Sequence, residues 1–409
     1  MEKRDVVVIG GGISGLSFAY EAASAGRSVL VLERAPRLGG CLATHCTKGG
    51  YWFELGAHTC YNSYVGLADL IDGCGLRGEV VPRARTHLRF LDGDRLVPGS
   101  NMAVLLRLLS WGQLLRAMPR MLAEKKDGHT AYSYYSRVAG RRNYGDVLGP
   151  MLSAVISQSA DAFPAGMLFK SRPERRKDFP RSFTMRGGLQ AIAEALARRP
   201  GIELATGKAA ARVEVEGAGS GARYAVVTED GERHEASVVV VATGPGTASR
   251  ILRDASPELA TQVARVKESA VETLGFAVRA EKLNLPVSMF LVPRDDVFYS
   301  AVTRDSVPDP SWRGFAFHFK PGQTLEAKIG RITGLLGLGR ADLEDVVERR
   351  SVLPSPVLGH EEVVREIDRL CAGGRLCVTG NWFAGLSIED CVNRSRREWA
   401  RVAALTSRS

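Results

Sequence analysis

Six residues near the start of the chain, Gly10-Gly11-Gly12-Ile13-Ser14-Gly15, constrain its fold more than any other feature. They follow residues 5–9 (DVVVI), a short apolar run of the kind that forms a buried parallel strand. Behind them, residues 16–25 carry helical patterning that stops at Gly26, and residues 28–32 (SVLVL) form a second apolar strand closed by Glu33. The unit reads as strand, tight turn, helix, strand. In GxGxxG, Gly10 permits the turn, Gly12 lets backbone approach a pyrophosphate, and Gly15 allows close helix–strand packing. Ile13 and Ser14 then lie at a helix N-terminus that faces phosphates. A carboxylate at Glu33 accepts hydrogen bonds from ribose hydroxyls and repels a 2′-phosphate, which disfavours NADP.

The 409 residues are too many for one ordinary core, and two interleaved domains are expected. Residues 101–124 read as a helix interrupted near Pro119, rich in Leu and Met with Arg107, Arg116 and Arg120 interspersed. Three readings stand for it: a helix packed on the second domain, a membrane-surface face, or a lid over an apolar substrate. Residues 186–199 give a loop and an amphipathic helix, followed by short alternating segments at 202–204, 211–216 and 222–228 and a β run at 237–242. Residues 271–320 alternate as a half-exposed antiparallel sheet does. Helical stretches are expected at 341–350 and 360–370, then a strand at 376–379 and a final helix from Ser387. The fold class is α/β: a Rossmann-like dinucleotide domain with an inserted α+β substrate domain holding a mixed or antiparallel sheet. The first domain is expected over 1–75, 185–270 and 360–409, the second over 76–184 and 271–359.

A formal net charge of +10 favours acidic ligands or anionic surfaces, but the basic residues are scattered. The clusters at 172–177 (RPERRK) and 394–397 (RSRR) read as solvated surface, so no nucleic-acid partner is expected. Seven cysteines, none in CxxC spacing, suggest neither a zinc site nor a dithiol motif and fit a reducing cytoplasm. The N-terminal apolar run is broken at once by glycines and reads as a strand rather than a signal peptide. No stretch is long and apolar enough for a transmembrane helix.

Past Glu33 the chain continues Arg34-Ala35-Pro36-Arg37-Leu38-Gly39-Gly40-Cys41-Leu42-Ala43-Thr44, and a later segment reads Phe53-Glu54-Leu55-Gly56-Ala57-His58. Near the other end stands Gly380-Asn381-Trp382-Phe383-Ala384-Gly385-Leu386-Ser387-Ile388-Glu389-Asp390-Cys391. Together these resemble the flavin amine oxidase superfamily, which includes protoporphyrinogen oxidases and phytoene desaturases. The segments Phe183-Thr184-Met185-Arg186-Gly187-Gly188-Leu189-Gln190 and Leu353-Pro354-Ser355-Pro356-Val357-Leu358-Gly359-His360 look most like the protoporphyrinogen oxidase branch. The resemblance implies non-covalent FAD. By the same token it implies cofactor contacts at Gly10, Gly12, Ile13, Ser14, Gly15, Glu33, Arg34, Gly39, Gly40, Gly56, Ala57, His58, Thr243, Gly380, Asn381, Gly385, Ser387 and Ile388. Three departures stand out. Cys41 occupies a position where the family usually has arginine, so a cationic contact is either missing or supplied by Arg37. The chain is short for that branch, and its final helix reads Asn393-Arg394-Ser395-Arg396 where a Ser-Gly pair is common.

A flavin accepts hydride from a C–H bond, and the protein orients that bond. No Ser/His/Asp triad or HExxH pattern is present, and no metal is expected. Catalytic candidates are His58 and Lys320. His318 reads more simply as a structural histidine, Arg186 reads either as a carboxylate contact or as surface, and Cys391 as a core-facing helix residue. The resemblance implies dehydrogenation of a small or medium organic molecule, carboxylate-bearing if a tetrapyrrole. The alternatives are an amine oxidase or desaturase on a natural-product intermediate, a non-redox sugar-nucleotide mutase, or a flavin-binding protein without activity. Peripheral membrane contact and the oligomeric state stay open at this point.

Overall fold

The computed structural model describes residues 3–98, 101–217 and 223–406. Residues 1–2 and 407–409 at the outer ends of the expected first domain, and residue 222 of an expected strand, lie outside these. Strand β1 (Arg4–Ile9) leads through the glycine turn into helix α1 (Ile13–Ser24) and back into strand β2 (Val29–Glu33). Val6 and Val8 join one hydrophobic cluster while Val7 and Ile9 join another, as the two-residue period of a strand covered on both faces requires.

The first sheet runs in the order Ile202–Thr206, β2, β1, Arg233–Val241, Arg223–Thr228, Ala210–Glu216. Its first four strands are parallel and the last two add antiparallel pairs. Arg233–Val241 shares its second edge: Arg223–Thr228 takes the early residues, and the C-terminal strand Leu376–Val378 takes Val239, Val240 and Val241 in parallel. The far end of the chain thus enters the sheet begun by its first residues.

In the second sheet, strand β3 (Glu344–Pro354) is followed by Glu268–Arg279, Trp312–Phe319, Phe298–Thr303, Ser288–Pro293, His87–Asp92 and Arg95–Leu96. All neighbours are antiparallel except Ser288–Pro293 and His87–Asp92, which makes the sheet mixed. The expected helix at 341–350 is therefore a strand. Its charged residues suit a helix, but the eleven-residue strand runs antiparallel to Glu268–Arg279 as an edge with an exposed face, and tertiary pairing overrides the local preference.

The helix expected over 101–124 divides into Asn101–Leu108 and α2 (Trp111–Ala123). The break falls at Leu109-Ser110, not at Pro119, which sits inside α2. The 394–397 cluster is not all surface. Arg394 is 2% exposed, pairs with Asp368 at 2.6 Å and Glu398 at 3.2 Å, and stacks 3.8 Å over Phe383. A buried guanidinium persists only where carboxylates and carbonyls replace its water. The 172–177 cluster is likewise engaged: Arg172 pairs with Asp390, and Arg176 with Asp69, Asp72 and Asp178.

Candidate functional site

The glycine turn is shaped by contacts that a side chain would block. Gly10 has φ +112°, and a Cβ there would lie 2.6 Å from Ala242 O. A Cβ on Gly15 would lie 2.0 Å from Gly10 O, so α1 rests directly on the end of β1. The second glycine pair docks on the first: Gly39 N donates to Gly11 O at 2.8 Å, and Gly12 and Gly39 form an isolated parallel bridge. A Cβ on Gly40 would come within 3.1 Å of Gly12 Cα. Two stretches of bare backbone thus flank the start of α1, whose first N–H groups have no partner within the helix.

Glu33 is bonded on both oxygens, accepting from Gly11 N at 2.7 Å and Ala35 N at 2.8 Å. It braces the turn, and its remaining lone pairs are free for hydroxyl donors. Arg34 is exposed beside it. Two guanidinium groups converge on one carbonyl, since Arg37 Nη2 and Arg349 Nη2 donate to Gly40 O at 3.1 and 2.7 Å. Arg349 comes from β3, in the other sheet. Its buried Nη1 has no hydrogen-bond partner among the described residues.

The chain's last segment closes over this cradle. Helix α3 (Ile388–Thr406) lies along α1, where Ser395 Oγ donates to Ser14 O at 2.8 Å and Trp399 packs edge-on against Phe18 at 5.7 Å. Asn381 Nδ2 lies 4.0 Å from Cys41 Sγ, and Ala57 N donates to Cys41 O at 2.9 Å. The segments containing Gly39-Gly40, Gly56-Ala57-His58 and Gly380-Asn381 therefore meet around one residue, Cys41. Ser387 caps α3, accepting from Asp390 N at 3.1 Å and donating to Asp390 Oδ2 at 2.6 Å, and it also accepts from Arg172 Nη2 at 2.9 Å. A Cβ on Gly385 would press on Asp390 at 2.5 Å. Ile388 is buried behind the cap. Trp382 is wholly buried, stacks on Phe383, and donates from Nε1 to Thr243 O at 3.3 Å, which ties Thr243 to the C-terminal loop.

A family model described as flavin containing amine oxidoreductase matches residues 13–280 of this chain. The chain belongs to that family. Coproporphyrinogen III oxidase of Propionibacterium freudenreichii subsp. freudenreichii is 24% identical over 96% of the chain and 89% of its own length. Protoporphyrinogen oxidase of Bos taurus is also 24% identical, over 98% of each. A provisionally named protoporphyrinogen oxidase from Exiguobacterium sp. 255-15 has the same fold, with a TM-score of 0.77 at 18% identity over 99% of both chains.

This flavin amine oxidoreductase is an FAD-dependent oxidoreductase, and its residues fit the cofactor. The apposed bare backbones admit a pyrophosphate beside a helix N-terminus, Glu33 keeps lone pairs for a ribose, and the orphan Nη1 of Arg349 is a buried cation in want of an anion. The basic contact that Cys41 does not make is available from two sides. Arg37, the source expected from sequence, is held by Leu38 O, Gly40 O and Gln190 Oε1. Arg349 retains a spare donor, and sequence reading missed it because nothing local marks a strand residue 309 positions away as a neighbour of Gly40.

From Arg349 a cross-strand row runs into the second sheet. Thr273 lies opposite both Arg349 and His318, and Ser300 lies opposite His318. Directly opposed residues share a face. His318 Nδ1 is 2.9 Å from Thr273 Oγ1, and Ser300 Oγ donates to Ala154 O in the helix Gly149–Ile156 above. Burial, reinforced by Arg349, lowers the His318 pKa to about 4. His58 is lowered to about 3, chiefly by burial and then by Arg83; its Nδ1 lies 3.2 Å from Gly56 O and its ring meets Phe290 edge-on at 5.0 Å. Both imidazoles are neutral at neutral pH and are weak bases.

Glu54 is the titrating group of this region. It accepts from Leu189 N at 2.7 Å and Thr44 Oγ1 at 2.8 Å, and burial raises its pKa to about 7 against the pull of those bonds. It lines a small cavity of about 20 Å³, together with His58, Arg83, Thr184, Arg304 and Ser306. Arg83 Nη1, Arg304 Nε and Thr184 Oγ1 are buried there without a hydrogen-bond partner among the described residues. Lys320 stands elsewhere, at a turn, 3.7 Å from Asp295 and over the Tyr299 ring. Arg186 is paired to Glu79 at the surface. Cys391 is buried, as expected.

Proposed function

We propose that this FAD-dependent oxidoreductase dehydrogenates a partly reduced, carboxylate-bearing tetrapyrrole of the porphyrinogen class. What carries the reading is that two porphyrinogen oxidases, acting on substrates of one chemical kind, align along nearly the whole chain. The site chemistry supports it. Flavin, when bound, accepts a hydride from a C–H bond. The chain's part is to orient that bond and keep water away. Arg83 and Arg304 offer unpaired buried donors suited to a carboxylate. His58 and His318, held neutral by burial, can each offer a hydrogen bond to a bound molecule.

The cofactor contacts belong to the same proposal: N–H groups at Gly12, Ile13, Ser14 and Gly15 for the pyrophosphate, with Gly10, Gly39 and Gly40 giving access. Glu33 and Arg34 serve the ribose end, Gly56, Ala57 and His58 the ring, and Thr243, Gly380, Asn381, Gly385, Ser387 and Ile388 the closing side. So does the division into a cofactor domain over 1–75, 185–270 and 360–409 and a substrate domain over 76–184 and 271–359. No described helix is long and apolar enough to cross a membrane, and contact with a membrane surface at the periphery is proposed on the apolar face of α2.

The test is anaerobic mixing of the FAD-loaded enzyme with a porphyrinogen, an amine and a polyene. Bleaching of the yellow absorbance by the porphyrinogen is expected; once oxygen is admitted to reoxidise the flavin, porphyrin fluorescence should rise faster than in an enzyme-free control, since more than one hydride must leave. Bleaching by the amine or the polyene alone would overturn the substrate class.

A further inference from the structure

Strand β3 is the outermost strand of its sheet. It pairs with Glu268–Arg279 along one edge, and among the described residues no strand pairs along the other. A free edge of this kind offers unpaired backbone donors and acceptors, a template for one more strand. Side chains alternate along it. Val347 packs against the cluster of Tyr51, Phe53 and Leu55, and Arg349 reaches Gly40 O, so the odd-numbered residues turn toward residues 40–55. The even-numbered residues Val346, Glu348, Arg350 and Val352 form the opposite face. All four are exposed, the two valines by 40 and 56%.

Charges on an edge strand ordinarily repel a partner. Here their order does the reverse, because Val-Glu-Arg-Val read backwards is Val-Arg-Glu-Val. Two copies of β3 laid antiparallel about a two-fold axis at Arg349 set Val346 against Val352 twice, and Glu348 against Arg350 twice. Moving the axis one residue, to Glu348 or Arg350, sets that charge against its own copy. Both charges can serve. Arg350 makes no ion pair among the described residues, since Glu272 opposite it is held by Lys328 at 2.7 Å. Glu348 gives one oxygen to Lys328 at 2.9 Å and keeps lone pairs for a second cation. Arg349 meets its own copy at the axis, but its guanidinium lies on the other face, held by Gly40 O. Asp345, at φ +49° beside a register shift, and Pro354, which has no N–H, bound the paired stretch at its two ends.

We propose that two copies of this chain associate through β3, edge to edge and antiparallel, about an axis at Arg349, so that their mixed sheets continue as one. This is strand addition, in which main-chain hydrogen bonds give affinity and alternating side chains give specificity. A single strand pair is a small interface, so the dimer dissociates on dilution. The contact is independent of the substrate, and its failure leaves the bleaching of flavin by a porphyrinogen unaffected.

Sedimentation velocity of the FAD-loaded full chain across a dilution series tests it. Arg350→Glu sets Glu348 against a carboxylate at both symmetric contacts and should raise the dissociation constant by about tenfold or more. Adding Glu348→Arg reverses each pair and should recover most of that loss. Because Glu348 also holds Lys328, Val352→Lys probes the same edge without touching that ion pair, and it should weaken the dimer by about fivefold. Flavin absorbance and melting temperature equal to those of the wild type show that each variant is folded. A wild type that stays monomeric throughout the series overturns the proposal, and so does a dimer that Arg350→Glu and Val352→Lys leave intact. A folded charge-swapped double variant that dimerises no better than Arg350→Glu overturns it as well, since the pairing would then not be Glu348 on Arg350.

Discussion

Replacing Glu54 with glutamine should change how stability responds to pH. Burial moves this carboxyl from 4.5 to about 7, so the native state holds a proton that the unfolded chain has lost. For an acid raised on folding, the unfolded state binds fewer protons through that window, and stability falls as pH rises from the unfolded pKa to the native one. With those two values, the ionisation of Glu54 takes away about 2.5 kcal/mol between about pH 5 and about pH 8. The amide of the variant cannot ionise; it keeps an oxygen for Leu189 N and turns its nitrogen toward the Thr44 hydroxyl. Urea unfolding of wild type and Glu54→Gln at the two pH values, followed by tryptophan fluorescence, measures the difference. The variant should gain on the wild type by roughly that amount at the higher pH. His58 and His318 titrate in both proteins and cancel from the comparison. If the two unfolding free energies move in parallel with pH, Glu54 is ionised in the native state throughout, and the argument from desolvation is wrong.

Three further outcomes follow from the geometry. Arg349→Met removes the buried cation beside Gly40 and should weaken FAD binding by about tenfold or more, the worth of a charge-assisted hydrogen bond; flavin fluorescence titration checks it, and Cys41→Arg in the same background should recover part of the loss. Gly10→Ala forces a Cβ to 2.6 Å from Ala242 O at φ +112°, so the purified protein should emerge with little yellow colour, scored as the ratio of flavin to protein absorbance. His318, lowered to about 4 on folding, contributes stability that is complete above the unfolded value near 6.5 and lost as pH falls toward 4. His318→Asn should therefore flatten the acid side of a plot of melting temperature against pH.

The cofactor half of the fold was legible because its signals are local. A glycine turn between a strand and a helix, and a carboxylate closing the next strand, declare themselves within about thirty residues. Gly10 and Gly15 are required by contacts with atoms one element away. The C-terminal segment was legible through its resemblance to the family's motif; that Ser387 and Asp390 cap the final helix within a single turn emerged from the structure. The strand Glu344–Pro354 was not: its residues suit a helix in isolation, and only the twelve-residue partner Glu268–Arg279 makes them a strand. Arg394 was misread as surface because an i,i+4 pair with Glu398 suits an exposed helix face equally well, and no local pattern announces that Phe383 and Asp368 will cover it.

By itself, then, the sequence determined the dinucleotide turn, the acidic end of β2, the meeting of the two termini in one family fold, and the absence of a long apolar span. The turn and the acidic strand end depend on steric and hydrogen-bonding demands between near neighbours in the chain, while the meeting of the termini followed from the resemblance of both end segments to one family. Tertiary structure alone decided that Arg349 reaches Gly40, that Thr273 and His318 extend a row from it, that Glu54 shares a cavity with Arg83 and Arg304, and that α2 turns its apolar side outward. Those features depend on strand register and on which surfaces lose their water. Both are properties of the assembled chain, and they set the charge a buried group carries as well as the partners it meets.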